Sequence, residues 1–307
     1  MAKPWWMWIL FLGIVLGALA LDLGLFYRRD HRIGVRESLR NSVIYIALGL
    51  AFGGGVWFFL GPESGVEYLT GFLVEKSLSL DNLFVMVLLF RYFRIPPKYQ
   101  HRVLCFGILG VIFLRAALIS LGSILISRFS WMLYLFGLFL VGTGIKMLWF
   151  SKTRSDIQPR LLLSWIRKVV RVTPTLKGHR FFVQGRATPL FLALVTIELS
   201  DLIFAIDSVP AIFAITTDPY LVYTSNIFAI LGLRALYFAI AEVILRFYYL
   251  KHALALLLIF IGSKIWVADW LGIQKFPTGL SLGVTLGIIL GGVLLSFRKN
   301  SRVRAKS

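Results

Sequence analysis

The 307-residue sequence has one cysteine, Cys105, so it holds neither a disulfide framework nor a thiolate cluster. Charge is scarce at 15%, and acid is scarcer than base: 14 acidic residues stand against 33 basic ones, for a formal net charge of +19. A soluble domain carries about a quarter charged residues, which excludes a water-soluble globular fold. The four histidines, His31, His101, His179 and His252, all lie in polar connections or at their edges. No P-loop and no nucleophile elbow occur, so the chain reads as a non-enzyme. The glycines, GGG at 53–55 among them, sit in apolar segments, where glycine lets helices approach closely.

What remains is hydrocarbon. The chain is 58% hydrophobic with a mean hydropathy of +0.82. Continuous apolar runs of about 20 residues recur, each long enough to cross a bilayer. Continuous rather than alternating runs exclude a transmembrane β-barrel. The expected fold is all-α and polytopic, with about nine spans near 5–27, 41–60, 67–90, 102–122, 130–149, 188–215, 224–246, 252–270 and 278–297. The N-terminal segment is too long for a signal peptide and lacks a small-residue cleavage site, so it reads as the first span. The expected organisation is two N-terminal spans (1–66), a first three-span unit (67–150), a basic linker (151–187), a second unit with the C-terminal spans (188–297) and a basic tail (298–307).

The excess base lies between spans. That placement points to orientation by positive loops and attraction to anionic lipid of the bilayer, not to nucleic acid. Connections alternate basic and poor in base along the chain, which places the N-terminus outside and the C-terminus in the cytoplasm. LLLSWIRKVVRV at 161–172 reads either as a helix lying on the inner membrane face or as a solvated linker. LSLDNLFVMVLLF in the third span resembles LSDLIFAIDSVPAIF in the sixth, and FGILGVIFLRAAL in the fourth resembles FAILGLRALYFAI in the seventh. The two units run in opposite directions, so inverted three-helix repeats are expected, an architecture that holds cargo near the membrane middle.

Half of the acids, seven of 14, fall inside these apolar spans: Asp22, Glu75, Asp81, Glu198, Asp201, Asp207 and Glu242. Each costs about 2.5–3.5 kcal/mol at the bilayer centre on insertion scales, and such residues face a polar interior and mark function. Helical spacing puts Glu75, Ser79, Asn82 and Met86 on one stripe, with Asp81 about 120° away beside Ser77. Glu198 and Asp201, three apart, neighbour each other, while Asp207 and Ser208 lie further along. Pro210 is expected to kink that helix, either freeing a carbonyl beside Asp207 as a further oxygen ligand or serving packing alone. Four readings stay open: neutralisation by Arg115, Arg234 and Lys264, a proton path, a cation site, and recognition of a basic organic substrate. Lys76 adjoins Glu75 but does not face it, and Lys146 reaches the inner end of its span. Carboxylate, amide and hydroxyl oxygens suit a hard cation such as Mn²⁺, Ca²⁺ or Mg²⁺, and residue types do not choose among them.

GFLVEKSLSLDNLFV, FGILGVIFLRAAL, ATPL and ELSDLIFAIDSVPAIFAITTDP with SNIFAILGLRALYF resemble the TerC/Alx family of bacterial membrane proteins, from about Asp22 to the ninth span. The resemblance implies an inner-membrane protein with nine spans and inverted three-helix repeats. It also implies export of Mn²⁺ for manganese homeostasis. Its motif acids fall on Glu75, Asp81, Glu198, Asp201 and Asp207, with Asn82 beside them, and Asp22 fits its first span. Glu242 lies outside that pattern and reads as a partner for Arg246 one turn later. The expected activity is therefore a secondary carrier that exports Mn²⁺, with proton exchange as a driving force. Two alternatives are a carrier for Ca²⁺ or another cation, and a scaffold that docks envelope or secretion proteins on its basic fifth loop.

Overall fold

The computed structural model describes residues 3–24, 34–129, 131–149, 172–173, 178, 180–240, 249–273 and 276–304, excluding the side chains of 21–24, 81, 84, 207, 234, 240, 250–251 and 297–304. Among the described residues there are nine helices. They are α1 (Trp5–Gly24), α2 (Val35–Leu60), α3 (Pro62–Tyr92), α4 (Pro97–Arg128), α5 (Met132–Trp149), α6 (Pro189–Phe213), α7 (Pro219–Ile240), α8 (Leu250–Trp270) and α9 (Thr278–Arg304). Each expected span has a helix. Seven of them, α2 and α4 to α9, are long and apolar enough to cross a membrane. The apolar part of α1, Trp5–Ala20, is shorter. At 31 residues α3 has the length, but it carries Glu63, Glu67, Glu75, Lys76 and Asp81 along it.

Proline and glycine set several boundaries. Pro62, Pro97, Pro189 and Pro219 each open a helix, where the missing N–H costs nothing because first-turn donors lack intrahelical partners. Gly61, at φ +92°, ends α2 and lets the chain turn directly into α3. Pro210 differs from expectation: α6 continues through it to Phe213. It sits in the last turn, where only the bond to the Ile206 carbonyl is lost, and its own carbonyl accepts from the Ala214 N–H. The stretch read as a linker ends in an antiparallel hairpin, β1 (Phe182–Val183) and β2 (Arg186–Ala187). Its turn residues Gln184 and Gly185 have φ of 51° and 71°, the pattern of a two-residue primed turn. Residues 161–171 and Glu242, with the readings attached to them, lie outside the described residues.

α7 is the most enclosed of the spanning helices. α2 and α3 pack along it, α4 packs along α6, α5 along α8, and α3 also meets α6 and α9. α1 docks through aromatic rings. Trp8 meets Tyr220 edge-on with centroids 5.0 Å apart, and Phe11 meets Phe228 at 5.7 Å. Lys3 pairs with Asp218 at 3.1 Å, so the N-terminus and the α6–α7 connection share one face of the bundle. The backbone N–H of Tyr249 donates to Ser296 Oγ, which joins the start of α8 to the end of α9 on the other face. Large apolar side chains such as Phe58, Phe113, Leu138 and Leu290 are exposed on the outside, as lipid contact requires.

Candidate functional site

Glu75 is fully buried on α3. Arg115 of α4, 2% exposed, places Nη1 2.6 Å from Glu75 Oε1. The same nitrogen donates to Ser208 Oγ of α6 and to Asn226 Oδ1 of α7, each at 3.1 Å. Asn226 Nδ2 donates in turn to Glu75 Oε2 at 3.2 Å, and Ser79 Oγ donates to Glu75 Oε1 at 3.1 Å. Four helices therefore meet through one carboxylate, one guanidinium, one amide and two hydroxyls. The expected α3 stripe is present: Ser79 lies one turn beyond Glu75 and bonds to it, and Asn82 is buried on the same face.

The acids of α6 lie beside this junction. Asp201 is buried and lies within electrostatic range of both Arg115 and Glu75, and Glu198 lies within range of Asp201. Both carboxylate oxygens of Glu198, and Arg115 Nε, are buried without a hydrogen-bond partner among the described residues. Glu198 fits against α4 because Gly107 and Gly110 have no side chains. A Cβ built on Gly110 would lie 2.7 Å from Glu198 Cδ. Asp207 immediately precedes Ser208, and Asp81 lies two residues after Ser79. The side chains of Asp22, Asp81, Asp207 and Arg234 lie outside the description. Among the described residues no three His, Cys, Asp or Glu side chains cluster as a metal site.

Internal neutralisation thus accounts for Glu75, through Arg115. Lys264 is placed elsewhere, in the wall of a cavity of about 550 Å³ on the face that carries the N-terminus. Glu67, Asp218, Asp269 and Ser281 line it as well. Glu67 stands eight residues before Glu75 on α3, about 12 Å along the axis. Lys76 turns away from Glu75, as its position on the helix requires, and donates to the Ala229 carbonyl of α7 at 3.1 Å. Sequence reasoning missed Asn226. The available signal was the polar run TSN, 224–226, at the start of an apolar span.

No solved structure matches the chain. The sequence pattern described as "Integral membrane protein TerC family" matches residues 60–304. A Rickettsia bellii relative named "Uncharacterized membrane protein" is 49% identical over 298 residues, covering 95% of this chain and 98% of its own. An Escherichia coli relative named "Putative membrane-bound redox modulator Alx" is 44% identical over 309 residues, covering 96% and 95%. The chain belongs to the TerC family of integral membrane proteins.

Proposed function

We propose that the chain is a secondary transporter that exports Mn²⁺ from the cytoplasm across the bacterial inner membrane. The observation that carries this reading is Glu198, a carboxylate with both oxygens buried and no hydrogen-bond partner among the described residues. A bare carboxylate in hydrocarbon is retained where it faces a polar interior and binds something. Asp201 lies within electrostatic range of Glu198 and of Glu75, and Asp207 and Asp81 each follow six residues after Asp201 and Glu75 on α6 and α3. Carboxylate, amide and hydroxyl oxygens are the donors that hard divalent ions take in place of water.

In this reading the helix pairing supports inverted repeats. Exchanging α3, α4 and α5 for α6, α7 and α8 turns the α3–α7 contact into α6–α4 and leaves α3–α6 and α5–α8 as self-paired contacts, all of which occur. Rocking about those contacts exposes the acids to one side and then to the other. The acidic cavity on the N-terminal face is the outward mouth, with Glu67 and Asp269 in its wall. Proton exchange at the same acids drives export. The redox role in the relative's name has no dithiol here to run on, since the 307 residues hold one cysteine.

Asp81→Asn and Asp207→Asn test the assignment. Each is expected to lower Mn²⁺ efflux from loaded proteoliposomes at least about tenfold, a loss of about 1.4 kcal/mol in the rate-limiting step. Unchanged efflux in both variants removes the site. Competition by Ca²⁺ and Mg²⁺ in the same vesicles ranks the three ions.

Gly110→Ala separates placement of Glu198 from folding. The added methyl meets the far end of a flexible side chain, so the carboxylate moves and the backbone does not. The expected result is efflux reduced about tenfold, with a stability change within about 1 kcal/mol. Equal losses in both would assign the glycine to packing alone.

A further inference from the structure

We propose that Arg115 is a tethered counter-cation: it fills the oxygen cage of Glu75, Ser208 and Asn226 between transport events and is displaced when the transported divalent ion enters. The proposal rests on the transport reading above and adds how the site is vacated and reset.

The geometry is that of a cation site with nitrogen at its centre. Three oxygens of three chemical kinds converge on Arg115 Nη1: a carboxylate at 2.6 Å, a hydroxyl at 3.1 Å and an amide carbonyl at 3.1 Å. They come from α3, α6 and α7, while the guanidinium comes from α4. That donor set is the one a hard divalent ion prefers. It does not use the usual strength of arginine, which is a planar fork that grips a carboxylate with two nitrogens. Among the described residues all three contacts fall on Nη1, and the buried Nε has no partner. A cation buried with a donor unsatisfied is held less firmly than the site allows.

Displacement also balances charge. A doubly charged ion entering the cage replaces one positive charge by two. Asp201 lies within range of Arg115 and offers the released guanidinium an acid on α6. Glu198, with both oxygens unpartnered, lies one helical turn earlier and meets the remaining excess. When the ion leaves, Arg115 returns to Glu75 and keeps the emptied carboxylate from recapturing it. Arg115 is thus a positioning residue for release.

The test uses purified full-length protein, with Mn²⁺ binding followed by electron paramagnetic resonance at pH 8 and efflux measured in proteoliposomes. Arg115→Gln keeps hydrogen-bonding capacity but removes the competing charge. It is expected to bind Mn²⁺ at least about tenfold more tightly and to export it at least about tenfold more slowly, because release lacks its competitor. Arg115→Lys, which keeps the charge, is expected to fall between wild type and Arg115→Gln on both measures. Weaker or unchanged binding by folded Arg115→Gln, with efflux lost, makes the arginine a structural brace and overturns the proposal. Wild type provides a second measurement should Arg115→Gln fail to fold. Mn²⁺ addition is expected to perturb the guanidinium bands in the infrared difference spectrum of arginine-labelled protein, a signal that Arg115→Lys lacks. Absence of that signal also overturns it. A wild type that binds no Mn²⁺ at all sinks the transport reading itself, a result distinct from either of these.

Discussion

Glu75→Gln is expected to lower the stability of the detergent-solubilised protein by about 3–5 kcal/mol and to abolish Mn²⁺ efflux. The carboxylate accepts from Arg115, Asn226 and Ser79, and nothing about it is exposed. Glutamine has the same size but one oxygen fewer, and its NH₂ group must face a donor, either the guanidinium or the Asn226 amide. Arg115 then remains buried, charged and opposed by a neutral group. Removing one partner of a buried pair costs about this much because the other charge cannot return to water. The corresponding fall in Tm is on the order of 10 °C, measurable by fluorescence from the nine tryptophans.

The double variant Glu75→Gln/Arg115→Gln separates the structural part of this loss from the functional part. With both charges of the pair gone, neither is left buried without its partner, and neutral replacement of a buried pair is often nearly cost-free. Most of the lost stability is therefore expected to return, a coupling of several kcal/mol between residues in direct contact. In the transport reading, efflux is expected to stay absent, because the carboxylate proposed to hold the ion is missing. A double variant that is as unstable as Glu75→Gln contradicts the buried-pair account. One that regains efflux removes Glu75 from the ion site.

Much of this junction was readable from spacing alone. Glu75, Ser79 and Asn82 recur on one helical face, and the hydrogen bond from Ser79 to Glu75 follows from that period. Lys76, one residue on, was excluded as a partner by the same geometry and points to α7. The proximity of Glu198 to Asp201 followed from their separation of three. The partners of Glu75 were less accessible. Three apolar-span cations were candidates, and only tertiary packing brings Arg115 to Glu75 and puts Lys264 elsewhere. Asn226 lies 151 residues from Glu75, and no local period connects them. The space that Gly107 and Gly110 leave for Glu198 is likewise a property of two helices together. Proline rules carried different weight by position. Pro210 implied a break, yet near a helix end its missing donor leaves a single carbonyl bereft, and α6 continues past it.

The contact between α5 and α8 predicts the second large effect. Gly137 and Gly262 face each other so closely that a Cβ built on Gly262 would lie 2.6 Å from the Gly137 carbonyl oxygen and 2.9 Å from Leu140 Cβ. About two turns along, a Cβ on Gly144 would lie 2.7 Å from the Ala255 carbonyl oxygen. These obstacles are backbone, which cannot swing aside as the tip of Glu198 can. Water drives no association between helices in lipid, so close backbone packing of small residues supplies the attraction. Gly262→Val is therefore expected to push the helices apart and cost about 3 kcal/mol or more, at or beyond the upper end for an overpacked core. Gly283→Ala on α9, where nothing lies within 4 Å, is the control and is expected to be neutral within about 0.5 kcal/mol. In the transport reading, α5 and α8 are equivalent helices of the two repeats, and their contact is the surface about which one repeat rocks. Gly262→Val should then lose efflux beyond what its folded fraction explains, and efflux normalised to folded protein, measured by gel filtration, decides this. Normalised efflux equal to wild type would leave the glycine pair as packing and move the pivot elsewhere.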